Sequence, residues 1–186
     1  MRRLVIAGAG VGTAAVVATG AAIAVASGVT LRVEKNVHDT NAQFANFAVK
    51  PVNTHEAVAV GPAGFAVYTF QGETTHHLIC KKTNSAATNC WGFWPPVSQS
   101  SGTVSKAAGI SGRLGTFRNH GMRQLTLNGQ PLYYFAPDLM SGNKRKAQGD
   151  ELKTFGSIWH VVKAHVAAAQ NAPQSTGAGS GSSPGW

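Results

Sequence analysis

The chain has 186 residues and carries 16 Lys and Arg against 7 Asp and Glu, a formal charge of +9. That length suffices for one ordinary domain with a core, and the normal aliphatic content excludes a wholly disordered chain. The basic excess suits an anionic partner such as wall polymer, lipid headgroups or nucleic acid; it equally suits plain solubility with a charged export signal.

Residues 1–26 read as a signal peptide or an uncleaved membrane anchor. Arg2 and Arg3 form a positive n-region, residues 4–26 carry no charge, and Ala24-Val25-Ala26 fits a small-x-small cleavage site. The run is long enough to span a bilayer but rich in Ala and Gly rather than Leu, which favours cleavage after Ala26 over a permanent anchor. Its Gly8-x-Gly10-x-Gly12 follows no core strand and is discounted as a nucleotide loop. Residues 27–56 read as a lead-in, with a strand expected in Thr30–Val37 and a break at Pro51.

Residues 57–166 are expected to form a duplicated domain. Gly64, Val67, Tyr68, Phe70 and Glu73 align with Gly129, Leu132, Tyr133, Phe135 and Asp138 at an offset of 65 residues. Carried forward without gaps, the same offset places Trp94 on Trp159 and Val97 on Val162. Each unit reads as a Gly turn, a strand, an acidic turn, an excursion and a Trp-bearing strand. Side chains alternate along a strand, so Tyr68 and Phe70 share one face, as do Tyr133 and Phe135. Gln124–Phe135 predicts two strands joined at Asn128-Gly129. Residues 142–156 form a polar excursion, with a short helix expected near Asp150-Glu151. The fold class is therefore mainly β: a small antiparallel domain of two repeated units with short helical excursions. Residues 167–186, rich in Gly, Ser, Pro and Ala, read as a disordered tail.

Export changes how Cys80 and Cys90 read. They are the only two cysteines, and an even count outside the cytoplasm points to a disulfide. Their spacing fits no CxxC redox, haem or zinc-finger pattern.

These residues resemble a bacterial family known as the secreted repeat of unknown function, also described as lipoproteins with a Tyr-x-(Phe/Trp/Tyr)-x-x-Asp motif. The resemblance covers roughly residues 57–163. Its motif copies here are Tyr68-x-Phe70-x-x-Glu73 and Tyr133-x-Phe135-x-x-Asp138, and its Cys-x-x-x-Trp-Pro-Pro element matches Cys90, Trp94, Pro95 and Pro96. The run Arg118 to Tyr133 fits its central hairpin, and Gln148-Gly149 with Trp159 to Val162 fits its closing segment. The resemblance implies export and supplies no activity. Glu73 stands where the family carries Asp, Asn119-His120 where it tends to carry acid, and Gly142-Asn143 where it has Gly-Asp.

Three functional classes follow. The first is a non-catalytic secreted or envelope module that meets an anionic envelope polymer or membrane surface through Lys81, Lys82, Lys144, Arg145 and Lys146. Lys81 and Lys146 are offset-equivalent, so the two clusters occupy the same excursion of their respective units and could share a face. Export disfavours nucleic acid as the partner. The second is a redox or metal-linked protein using Cys80, Cys90 and His76-His77. The third is a hydrolase using Glu73 and Asp138 as a carboxylate pair; the structural alternative is that each acid satisfies a turn or a Tyr hydroxyl. No catalytic residue, metal site or cofactor is assigned. Trp91 aligns with Gly156, lies outside the duplicated pattern, and is the tryptophan expected at a surface contact.

Overall fold

A computed structural model describes residues 29–166. The expected signal or anchor segment, its expected cleavage site and the expected tail lie outside the described residues. None of the described helices is long and apolar enough to cross a membrane.

Three small three-stranded sheets build the domain, in the orders β2-β1-β7, β3-β9-β8 and β4-β5-β6. The strands are β1 (Arg32–Thr40), β2 (Asn53–Val60), β3 (Tyr68–Phe70), β4 (Leu114–Asn119), β5 (Met122–Leu127), β6 (Gln130–Pro131), β7 (Lys146–Ala147), β8 (Lys153–Thr154) and β9 (Ser157–Val161). Two short α-helices, α1 (Cys90–Phe93) and α2 (Ala136–Ser141), and a 3-10 helix at Ala42–Phe47 connect them. All strand pairs are antiparallel except β1 with β7, which is parallel. The β5–β6 turn uses Asn128 and Gly129, both at positive φ (53° and 78°), as a two-residue hairpin of this kind requires.

The two units are related by a pseudo-twofold axis through Tyr68 and Tyr133. These offset-equivalent residues exchange both backbone hydrogen bonds, at 2.8 and 3.0 Å. The bonds around them recur in pairs. Val67 N–H donates to Ala59 and Leu132 N–H to Leu125, while Val162 N–H donates to Val67 and Val97 N–H to Leu132. Ala59 and Leu125 N–H in turn donate to Val162 and Val97, each at 2.8 Å.

Alternation along these central strands creates two cores. One face carries Tyr68, Phe70, Trp94, Tyr133, Phe135 and Trp159. The other carries Val67, Val97, Leu125, Leu132 and Val162, joined by Leu31 and Ile110. Close packing demands a bare backbone at Gly149: a Cβ there would lie 2.6 Å from the Trp94 ring.

Three sequence expectations change. Residues 29–56 are not a mere lead-in: they supply β1 and half of β2, with Val37 and Asp39 fully buried. The β1–β2 hairpin flanks the first unit as β4–β5 flanks the second. Trp94 does not lie in a strand. It caps helix α1, and only isolated bridges at Pro96 and Ser98 follow, because Pro95 and Pro96 have no N–H for a ladder. The short helix expected near Asp150-Glu151 does not form, and Glu151 takes φ 59° there; the helix of this unit is α2, which ends before the polar excursion.

Candidate functional site

The repeat motif works across the two units. Rings from both stack in one column: Phe135 on Trp94 at 4.4 Å, Trp94 on Trp159 at 3.8 Å and Trp159 on Phe70 at 4.1 Å between centroids. Tyr68 meets Trp94 edge-on at 5.4 Å, and Tyr133 meets Trp159 edge-on at 5.3 Å. Offset and edge-to-face contacts of this kind add about 0.5–1.5 kcal/mol each beyond the area they bury. Both indole N–H groups donate to Thr154 Oγ1, at 3.2 Å from Trp94 and 2.9 Å from Trp159.

The second motif's acid bonds across to the first unit, and the first motif's acid lies near the second unit's tyrosine. The Tyr68 hydroxyl donates to Asp138 Oδ2 at 2.6 Å, while Asp138 Oδ1 accepts from the backbone and side-chain amide of Gln148. Burial pushes Asp138 up to about 6, against the pull of these bonds. Glu73 Oε1 accepts from the backbone N–H of Ile79 and Cys80, both at 2.8 Å, and burial raises its pKa too. Tyr133 is raised by burial and then by the nearby Glu73 charge. Even so, neither Tyr133 Oη nor Glu73 Oε2 has a partner of good hydrogen-bond geometry. Each acid is thus fully buried and committed to the other unit's tyrosine or to turn amides.

Cys80 and Cys90 form a disulfide with a Cα separation of 5.2 Å, and no free cysteine remains among the described residues. This corrects the Cys-His reading, since a bridged sulfur is neither a nucleophile nor a thiolate ligand. Trp91 is not a free platform. Its Nε1–H donates to Cys80 O at 3.3 Å, and its ring meets His120 edge-on at 5.1 Å.

The two basic clusters pack on different partners. Lys82 Nζ sits 5.9 Å over Trp91, and Lys144 Nζ sits 5.9 Å over Phe65. Arg145 pairs with Glu34 at 3.2 Å, and Lys146 lies half-buried in β7. Lys81 is exposed beside Cys80.

Two features escaped the sequence. The first is an acidic cluster. Asp39 is fully buried with both carboxylate oxygens unpartnered, and burial followed by the nearby Asp150 charge pushes it up to about 9. Lys163 reaches this group, 2.9 Å from Glu56 and 3.9 Å from Asp150. Donor atoms of Asp150, Glu151 and His160 lie within 4.8 Å of one another, a spacing open to a cation, but Glu151 already holds Lys50 at 3.1 Å.

The second is a pocket of about 430 Å³ at the Phe135 end of the ring column. Trp94 and Phe135 form its floor, and Phe44, Phe47, Phe93 and Phe155 its walls. Those rings come from four separate segments, so no local motif announces them.

No curated protein and no solved structure matches the chain. Residues 117–163, which run from β4 through β9 and hold the second unit's whole motif, match the family described as a secreted repeat of unknown function.

Proposed function

We propose that the protein is an exported, non-catalytic binding module whose basic surface engages an anionic polymer of the envelope. A secreted-repeat match and a disulfide both favour work outside the cytoplasm. The observation that carries the reading is the fate of the negative charge. Of the seven carboxylates, Asp39, Glu73, Asp138 and Asp150 are buried. Glu34, Glu56 and Glu151 each hold a cation already. Among the described residues only Lys50, Arg145 and Lys163 of the lysines and arginines pair with a carboxylate. The excess positive charge therefore faces solvent uncompensated, a field that attracts polyanions and is screened by salt. The hydrolase reading has nothing to support it, because Glu73 and Asp138 are fully buried and line neither the pocket at Phe135 nor the one beside Asn41 among the described residues.

Retention of the protein on immobilised polyglycerol phosphate tests this. Retention should fall steeply between low and high salt, and replacing Lys81, Lys82, Lys144 and Lys146 by Gln should flatten the slope. Salt-independent retention, or a variant that elutes like the wild type, would contradict it. Stronger binding to phosphatidylglycerol vesicles than to the polymer would move the partner from polymer to membrane.

A further inference from the structure

We propose that the pocket at the Phe135 end of the ring column is a binding site for a planar aromatic carboxylate. Three features of the pocket define that ligand.

The first is shape and polarity. The cavity, about 430 Å³, has six aromatic residues among its ten lining residues, and its size suits a small ligand. Phe47 and Phe93 are more than half exposed, at 56% and 55%, whereas the rings of the column are buried. An exposed aromatic pair at the mouth of a cavity with an aromatic floor presents π faces and edges that favour another flat ring over an aliphatic chain.

The second is a poised donor. Thr154 lines the pocket, and its Oγ1 accepts both indole N–H groups. A hydroxyl that accepts twice keeps its own proton to donate. Among the described residues this proton has no acceptor, so the indoles fix the oxygen and leave its O–H for an acceptor in the pocket.

The third is charge. Lys153 also lines the pocket and makes no ion pair among the described residues. An ammonium and a hydroxyl donor that line one cavity can serve the two oxygens of a carboxylate.

The backbone supports the wall. Phe155 takes φ 53°, an uncommon conformation for a bulky residue, at the β8–β9 turn. That turn carries the Phe155 ring to within 6.3 Å of Phe93.

Titration of the full chain with 2-naphthoate, followed by calorimetry and tryptophan fluorescence, tests the proposal. One saturable site is expected. Phe93→Ala should weaken binding about tenfold, and Lys153→Gln severalfold. Lys153→Arg should restore most of it. Cyclohexanecarboxylate and 2-methylnaphthalene, which lack the flat ring or the charge, should each bind at least about tenfold more weakly. Phe93 and Lys153 are exposed, so both variants should fold, with unchanged unfolding midpoints as the check. The proposal is overturned by the absence of saturable binding at millimolar naphthoate, by equal binding of cyclohexanecarboxylate, or by binding insensitive to Phe93→Ala and Lys153→Gln. It is equally overturned if replacing Lys81, Lys82, Lys144 and Lys146 by Gln abolishes binding, since the site would then be the general basic surface.

Discussion

The ring column has two ends that the pseudo-twofold axis makes equivalent, yet they differ. All four rings are buried, but Phe135 and Trp94 also form the floor of a pocket that Phe70 and Trp159 do not line. The first unit closes its excursion with the Cys80–Cys90 bridge. The offset-equivalent positions in the second unit are Arg145, which reaches out to Glu34, and Phe155, which walls the pocket. The duplicated centre is held by constraints common to both units. The excursions are free of them, and there one unit has acquired a covalent tie and the other an accessible cavity.

The largest expected effects test the shared centre. Trp94→Ala and Trp159→Ala should each lower stability by about 3–5 kcal/mol in urea unfolding, because both indoles are fully buried and stack on each other. Near-equal losses would support the axis. A loss confined to one indole would break the equivalence. Next comes the tie present in one unit only. Replacing Cys80 and Cys90 together by Ser should cost about 2–3 kcal/mol, the chain entropy returned to a short loop. An unchanged midpoint would mean that the packing of the first excursion holds without the bridge.

The third effect is a pH slope. Asp138 and Asp39 have folded pKa values raised to about 6 and about 9. The folded state therefore binds these protons more tightly than the unfolded chain. Their contribution is complete below the unfolded carboxyl range and is lost as pH rises through about 6 for Asp138 and about 9 for Asp39. Each group can contribute a slope of at most about 1.4 kcal/mol per pH unit. Asp39→Asn should flatten the decline between pH 6 and 9, measured by denaturant midpoints across that range. Parallel profiles for variant and wild type would show that Asp39 is ionised in the fold.

Much of the centre was legible because it depends on rare residues at a fixed spacing. Tyr68 with Tyr133 and Trp94 with Trp159 keep one offset, and each pair meets on the axis. The outer hairpins were not legible as part of the duplication for a simple reason. Ala59 and Leu125 play the same backbone role at an offset of 66, one residue out of step with Val67 and Leu132. A gapless comparison slides past them, and strands of this kind preserve pattern rather than identity. The pocket was hidden because Phe44 and Phe47 lie far in sequence from Phe93, Phe135 and Phe155. The two basic clusters were legible as charge but not as geometry: Lys146 lies half-buried in β7, whereas its offset equivalent Lys81 is exposed outside any strand.

The crossing of the motif between units can be measured directly by two double-mutant cycles at pH 7.5, where Asp138 is ionised. Tyr68→Phe with Asp138→Asn should show coupling of about 1.5–3 kcal/mol, as a buried charge-assisted hydrogen bond requires. Tyr68→Phe with Glu73→Gln, the pair inside one sequence motif, should couple by less than about 0.5 kcal/mol. The reverse ranking would mean that each motif closes on itself and that the two units do not lock each other.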